Sequence, residues 1–179
     1  MTILASESPR RRELIKKITQ EFTVIPANID ESILHVPASD LPGELSKMKA
    51  YDVFQKHPND KILACDTVVI LNGEIMGKPH SKEEASEMLH KLSGKKHVVI
   101  SGYTIISKQK EITRTVRTYV YFNNLSDELI EKYIASGSPM DKAGAYGIQD
   151  KEFDLVNKIE GSLDNVIGLP TEDIKAHWF

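Results

Sequence analysis

The stretch KILACDTVVIL, residues 61–71, is apolar at nearly every position on either side of a single carboxylate, Asp66. A strand that is apolar at odd and even positions alike has no solvent face, so it belongs in the middle of a sheet covered on both sides. A carboxylate there is costly unless it is paired, hydrogen-bonded, metal-bound or set where a cleft opens. Two readings of Asp66 follow. It is either a structural group satisfied by backbone donors at a strand end, or a working acid, a base or Mg²⁺ ligand.

Periodicity and turn residues around this strand predict an alternating α/β order. Residues 2–5 (TILA) read as a short buried strand, SPRRRELIKKI as a helix, and residues 22–26 (FTVIP) as a second strand leading to the acidic turn Asp30–Glu31. Asp40 and Pro42 open a helix that runs to about Gln55 and stops at His57–Pro58. The strand at 61–71 turns at Asn72–Gly73, a hairpin pair, into EIM. SKEEASEMLHKLSG carries a Ser81/Glu84 capping box and ends at Gly94. HVVISGYTIIS and ITRTVRTYVYF are long strands joined by KQKE, and a helix from about Asp127 to Ala135 lies between Ser126 and Gly137. DKAGAYGIQD (141–150) is irregular, LVNKIEG reads as a short strand, and PTEDIKAHW as a closing helix. No repeat or Pro/Gly/Ser-rich linker divides the 179 residues, so a single domain over 1–179 is expected.

Composition narrows the ligand. Lys and Arg number 23 against 26 Asp and Glu, net -3, which argues against a surface that coats nucleic acid. Any anion must therefore be held in a local basic pocket. The lone cysteine, Cys65, cannot form an internal disulfide, so the cytoplasm is the expected compartment. The apolar stretch before the first charges is too short for a signal peptide and no apolar run approaches a membrane span, so a chain neither secreted nor embedded is expected.

The candidate cations are few. If Ser8 caps a helix with Pro9 in its first position, Arg10, Arg11 and Arg12 fall in the first turn, where the helix end is already positive. A bound phosphate would correct the sign. Leu14, Ile15, Ile18 and Phe22 define the inward stripe, with Arg11 near its centre and Arg12 on the solvent side with Lys16. The alternative is an Arg11 that snorkels at the helix end beside two solvated neighbours. Lys49 shares a four-residue spacing with Leu41, Leu45 and Val53, and Lys78 sits in the turn MGKPH. Neither GEIMGKP nor SGKKH is a Walker A loop, no H-x-x-x-H pair suggests zinc, and no G-x-S-x-G elbow suggests an acyl-enzyme. Tyr119 and Tyr121 read as one face of a sheet. The residues alone thus add up to a phosphate and Mg²⁺ site built from Arg11, Lys49 and Lys78 with Asp30, Glu31 and Asp66 and the Gly-rich segment DKAGAYGIQ.

LASESPRRREL, NIDES, LSKMKA, CDTVV, GKP, MLHKLSGKKH, MDKAGAYGIQ and NVIGLP stand in the order found in the Maf (septum formation) family of nucleoside triphosphate pyrophosphatases, which the chain resembles over nearly its whole length. The resemblance implies a mixed α/β fold, an elongated sheet with flanking helices and two lobes around a deep cleft, similar to the inosine triphosphate pyrophosphatase-like fold. It implies a homodimer that clears the nucleotide pool by hydrolysing a nucleoside triphosphate to monophosphate and pyrophosphate with a divalent cation, Mg²⁺ or Mn²⁺. On matching positions, Ser8, Arg11, Lys49 and Lys78 would hold the triphosphate, and Glu31 and Asp66 would bind the metal. Asp66 would also accept the proton of the attacking water. Arg10, Thr67 and Gln149 match positions associated with base selectivity, a combination similar to the dTTP/UTP branch; the 7-methyl-GTP branch differs around Arg10. The alternatives are a nucleotide-sensing regulator of cell division with little turnover, or a pyrophosphatase of different base specificity such as 7-methyl-GTP. Four departures stand out: Ser46, Cys65, the charged DKEFDLVNKI after Gln149, and Leu163–Asp164 before Asn165.

Overall fold

In the computed structural model, which describes residues 1–179, the strand that carries Asp66 is interior to the sheet, as its two-faced apolar pattern requires. The elements in chain order are β1 (Thr2–Leu4), α1 (Pro9–Leu14), β2 (Phe22–Val24), α2 (Leu41–Lys56), β3 (Lys61–Leu71), β4 (Glu74–Met76), α3 (Lys82–Leu92), β5 (Lys96–Ile106), β6 (Glu111–Phe122), α4 (Asp127–Ala135), β7 (Val156–Glu160), α5 (Leu163–Ile167) and α6 (Thr171–Ala176). The seven strands form one mixed sheet in the order β2-β1-β3-β5-β6-β7, with β4 also paired to β3. β1 runs parallel to β2 and β3; every other pair is antiparallel.

The predicted order holds with three local differences. The first helix ends at Leu14 and continues only as a 3-10 turn over Ile15–Lys17. β2 stops at Val24, short of Pro26, which has no N–H to give a ladder. α5, which apolar periodicity does not reveal in so short a segment, is started by Ser162, whose side chain accepts from Asn165 N.

One outer edge of β3 positions the site. β1 pairs with Lys61–Leu63 and β4 with Val69–Leu71, leaving the edge between them without a strand partner. On one face of the sheet Ile62 and Ala64 pack against Ala50 and Val53 of α2. On the other, Leu63 and Cys65 pack with Leu14, Ile15, Leu169 and Ile174. Beyond the gap a larger core joins Val69 and Leu71 to Leu89 and Leu92 of α3 and Ile130 and Tyr133 of α4. Each buried Val, Leu or Ile side chain in these cores contributes about 1.5–3 kcal/mol. Two lobes thus share the long strands and part at the unpaired stretch of β3.

α2 lies unusually close to the sheet. A Cβ on Gly102, the cross-strand partner of Asp66, would stand 2.3 Å from Gly43 N and Pro42 C, so only glycine admits the helix there. Ser46, one of the four departures, fixes the same contact: its Oγ donates to Gly43 O at 2.7 Å and bonds Thr104 Oγ1 at 2.8 Å. Tyr119 and Tyr121 line one face, with Lys96 Nζ 5.0 and 5.8 Å from their ring centres, in keeping with a structural role.

Candidate active site

At the gap in β3 a cleft of about 660 Å³ opens, and it is lined by Ser8, Arg10, Arg11, Glu31, Lys49, Asp66, Thr67, Lys78 and Gln149. All nine residues singled out for catalysis, binding or selectivity therefore share one cavity. Asp30 does not line it. Its carboxylate is occupied in capping the turn over Glu31–Ile33, accepting from Ser32 N at 3.0 Å and Ser32 Oγ at 2.6 Å.

Because successive strand residues point to opposite faces, Asp66 and Thr67 address different helices. Asp66 faces α2, where Lys49 Nζ donates to its Oδ1 at 2.9 Å and lies 3.4 Å from Glu31 Oε1. The side chains of Lys49 and Asp66 are only 17% and 14% exposed. Asp66 sits mid-strand and is satisfied by a lysine, so the reading as a carboxylate capped by backbone donors at a strand end is set aside. The four-residue spacing that turns Lys49 inward serves this pairing.

Thr67 faces α1. Ser8 caps that helix, its Oγ accepting from Arg11 N at 3.3 Å, and Arg11 turns inward as its helical phase predicts. Arg11 Nε donates to Gly168 O at 2.7 Å and Nη2 to Thr67 Oγ1 at 3.1 Å. The guanidinium is thereby braced between the strand and the loop after α5, which is more than snorkelling. Cys65, beside Thr67, is fully buried with Sγ 3.5 Å from Gly168 O, and burial pushes its thiol up, keeping it neutral. Asp164, another departure, is buried and accepts from Lys17 Nζ at 2.9 Å and from Thr171 Oγ1, tying α5 to the turn after α1.

The opposite wall is the irregular segment around residues 138–150. Arg10 Nη1 reaches Asp141 Oδ2 at 3.8 Å, and Lys142 Nζ donates to Asp141 Oδ1 at 2.9 Å. Burial, which raises the Asp141 carboxyl, is outweighed by Lys142 and then Arg10, so it stays below its ordinary value. Tyr146 is buried with its hydroxyl 2.7 Å from His97 Nε2. Burial lowers His97 to about 4 and raises Tyr146, so the pair is neutral, and His97 Nδ1 has no partner. Gly144 N donates to Gly77 O at 3.1 Å, joining this wall to the Lys78 turn.

Sequence reasoning did not single out Asp141, Lys142, Tyr146, His80 and Glu84, which also line the cleft. The first three lie inside the quoted DKAGAYGIQ segment, whose irregularity was the available signal. Glu84 was visible only as a capping residue: its Oε2 accepts from His80 N at 3.2 Å while Ser81 Oγ accepts from Glu84 N at 3.0 Å.

No group of three or more His, Cys, Asp or Glu side chains could by itself hold a metal. Glu31 and Asp66, both within reach of one ammonium, form a two-carboxylate donor set, which suits Mg²⁺ or Mn²⁺ completed by water and phosphate oxygens. The residues present fit such an ion.

The family described as Maf-like protein matches residues 1–177 of the chain. A dTTP/UTP pyrophosphatase of Thermosipho africanus is 49% identical over 172 residues, covering 96% of this chain and 88% of that protein. Those of Geotalea uraniireducens and Pyrococcus furiosus are 47% and 48% identical, each covering 94% of this chain and 88% of the relative. Among solved structures, the Staphylococcus aureus Ham1 protein aligns with a TM-score of 0.49 at 16% identity, over 68% of this chain and 70% of that one.

Proposed function

The chain belongs to the Maf family, and from that premise we propose that its cleft hydrolyses dTTP and UTP to the nucleoside monophosphate and pyrophosphate. The observation that carries the reading is the convergence of Arg10, Arg11, Lys49 and Lys78 with Glu31 and Asp66 in one cavity of a chain whose net charge is -3. Relatives at 47–49% identity that bear the name dTTP/UTP pyrophosphatase give it its substrates.

Lys78 and Arg11 bind the phosphates, with Arg11 held at a fixed angle by Gly168 O and Thr67. Lys49 bridges Glu31 and Asp66 and offsets one of their two charges before substrate arrives, then turns its ammonium to the phosphate oxygens, whose charge grows as pyrophosphate leaves. Asp66 orients a water toward the α-phosphorus and accepts its proton. A divalent cation held by Glu31 and Asp66 would offset charge on the phosphate oxygens. Arg10, Thr67 and Gln149 select the base. The enzyme works as a homodimer in the cytoplasm; no helix is long and apolar enough to cross a membrane.

Phosphate release in the presence of inorganic pyrophosphatase, across canonical nucleotides with Mg²⁺ or Mn²⁺, tests the reading. Turnover of dTTP and UTP is expected. Tight nucleotide binding without turnover would replace it with a sensing role.

A further inference from the structure

The turn Gly147–Asp150 brings Gln149 to the cleft, and both of its ends converge on one buried hydroxyl. Gly147 N donates to Tyr133 Oη at 2.8 Å, and the same hydroxyl donates to Asp150 Oδ2 at 2.6 Å. Asp150 N closes the turn on Gly147 O at 3.0 Å. Ser138 Oγ donates to the same Oδ2 at 2.5 Å, and Lys142 Nζ donates to Ser138 O at 2.7 Å and to Ser138 Oγ at 3.1 Å. Tyr133 is fully buried on α4, with its ring 4.8 Å from that of Phe153, so the core of the second lobe fixes its position. Burial and then Asp150 push its hydroxyl up, so it keeps the proton it donates.

This arrangement has a use that its stability alone does not require. A glutamine amide presents an N–H beside a C=O, which match a base edge carrying an N–H beside a C=O, as in uracil and thymine. Two such bonds discriminate against a base of different pattern only when both amide atoms are held to within about 0.5 Å. A four-residue turn without a tether would not hold them so. We infer that Tyr133 and Asp150 are positioning residues for base selectivity: by tying both ends of the Gly147–Asp150 turn to α4, they hold Gln149 at the base. The inference rests on the reading of the cleft as a nucleotide site with Gln149 at the base.

The test uses Tyr133→Phe, Asp150→Ala and Gln149→Ala in the full chain. Calorimetry gives the affinities for non-hydrolysable α,β-imido analogues of dUTP and dCTP, and hydrogen exchange follows residues 147–150. Tyr133→Phe and Asp150→Ala are each expected to lower the dUTP preference about tenfold and to speed exchange in the turn. Adding Tyr133→Phe to Gln149→Ala should lower the preference no further. If Tyr133→Phe fails to fold, Asp150→Ala in the half-buried turn carries the same comparison. A preference kept within twofold in the folded variants, whatever their exchange, overturns the inference, as does a wild type that binds both analogues equally. A wild type that prefers the dUTP analogue but releases no pyrophosphate from dTTP or UTP sinks the proposed hydrolysis and leaves this inference standing.

Discussion

The two walls of the cleft are built by opposite means. One is regular structure: β3, α1 and α2 carry Asp66, Thr67, Arg11 and Lys49, each held by an element with its own core. The other, around residues 138–150, has only single 3-10 turns and is held by side chains, through Tyr133, Tyr146, Asp150 and Lys142. Two of the cations proposed to meet the phosphates, Arg11 and Lys49, sit on the rigid wall, where an ångström of slack would cost most, and Lys78 sits in the turn that Gly77 O joins to the other wall. The tethered wall carries Gln149, whose surroundings can be altered without moving the hydrolytic groups.

The sharpest way to separate the walls is a change that removes chemistry and leaves the scaffold. Asp66→Asn keeps the shape of the side chain but gives up the proton acceptor, so kcat is expected to fall about 10²–10⁴-fold. Circular dichroism and the melting temperature should stay near wild type, because the amide can still accept from Lys49. Near-normal turnover would remove Asp66 from its assigned role.

A second change attacks the placement of the rigid wall. In Gly102→Ala the new methyl would meet the backbone of Pro42 and Gly43 at 2.3 Å, and backbone cannot rotate away. A loss of about 3 kcal/mol is expected, or roughly 6–12 °C in a chain of this length, with activity falling as α2 lifts and carries Lys49 from Asp66. A melting temperature unchanged within 2 °C would mean that α2 is not seated as described.

The tethered wall has its own signature, a dependence on pH. His97 is neutral in the folded protein and lowered to about 4 by burial, whereas the unfolded chain binds its proton near 6.5. Between these values the unfolded state takes up more protons, so stability contributed by the His97–Tyr146 contact is intact above about 6.5 and lost as pH falls toward 4. The loss is about 2–3 kcal/mol. Urea unfolding of wild type and His97→Gln at pH 7.5 and pH 4.5 should show the difference between the two chains shrinking at the lower pH. A constant difference would show that His97 is not buried neutral.

What was legible in the sequence follows the same division. The helix over Lys82–Leu92, the Asn72–Gly73 hairpin and the inward phases of Arg11 and Lys49 could be read because short-range rules govern them. Asp66 announced itself as a conflict with its surroundings, but its ion-pair partners lie on other elements. The bond from Arg11 to Gly168 spans 157 residues, and the ties of Asp150 to Tyr133 and Ser138 depend on how α4 packs. Such contacts come from the tertiary fold, which is why Tyr133, Tyr146 and His97 gave no signal of their own. Asp30 shows the reverse error: an acid beside Glu31 looks equivalent in sequence, and only the cap it makes takes it out of the site.

The smallest predicted effect is the most demanding check on the rigid wall. Three consecutive arginines carry the same charge at the same helix end, so a site that worked by diffuse attraction would weaken similarly on losing any of them. The geometry predicts otherwise. Arg11 is braced into the cleft, Arg10 lines it, and Arg12 is exposed and absent from its lining. Arg12→Ala is therefore expected to change KM for UTP by less than twofold and stability by less than about 0.5 kcal/mol. Arg11→Ala, by contrast, should remove a charged bond to phosphate, which is worth about 1.5–3 kcal/mol, together with the brace to Gly168. If the two variants raised KM alike at 150 mM salt, placement on the helix would not be what selects the arginine, and the distinction between a charge held in the cleft and one merely near it would fail.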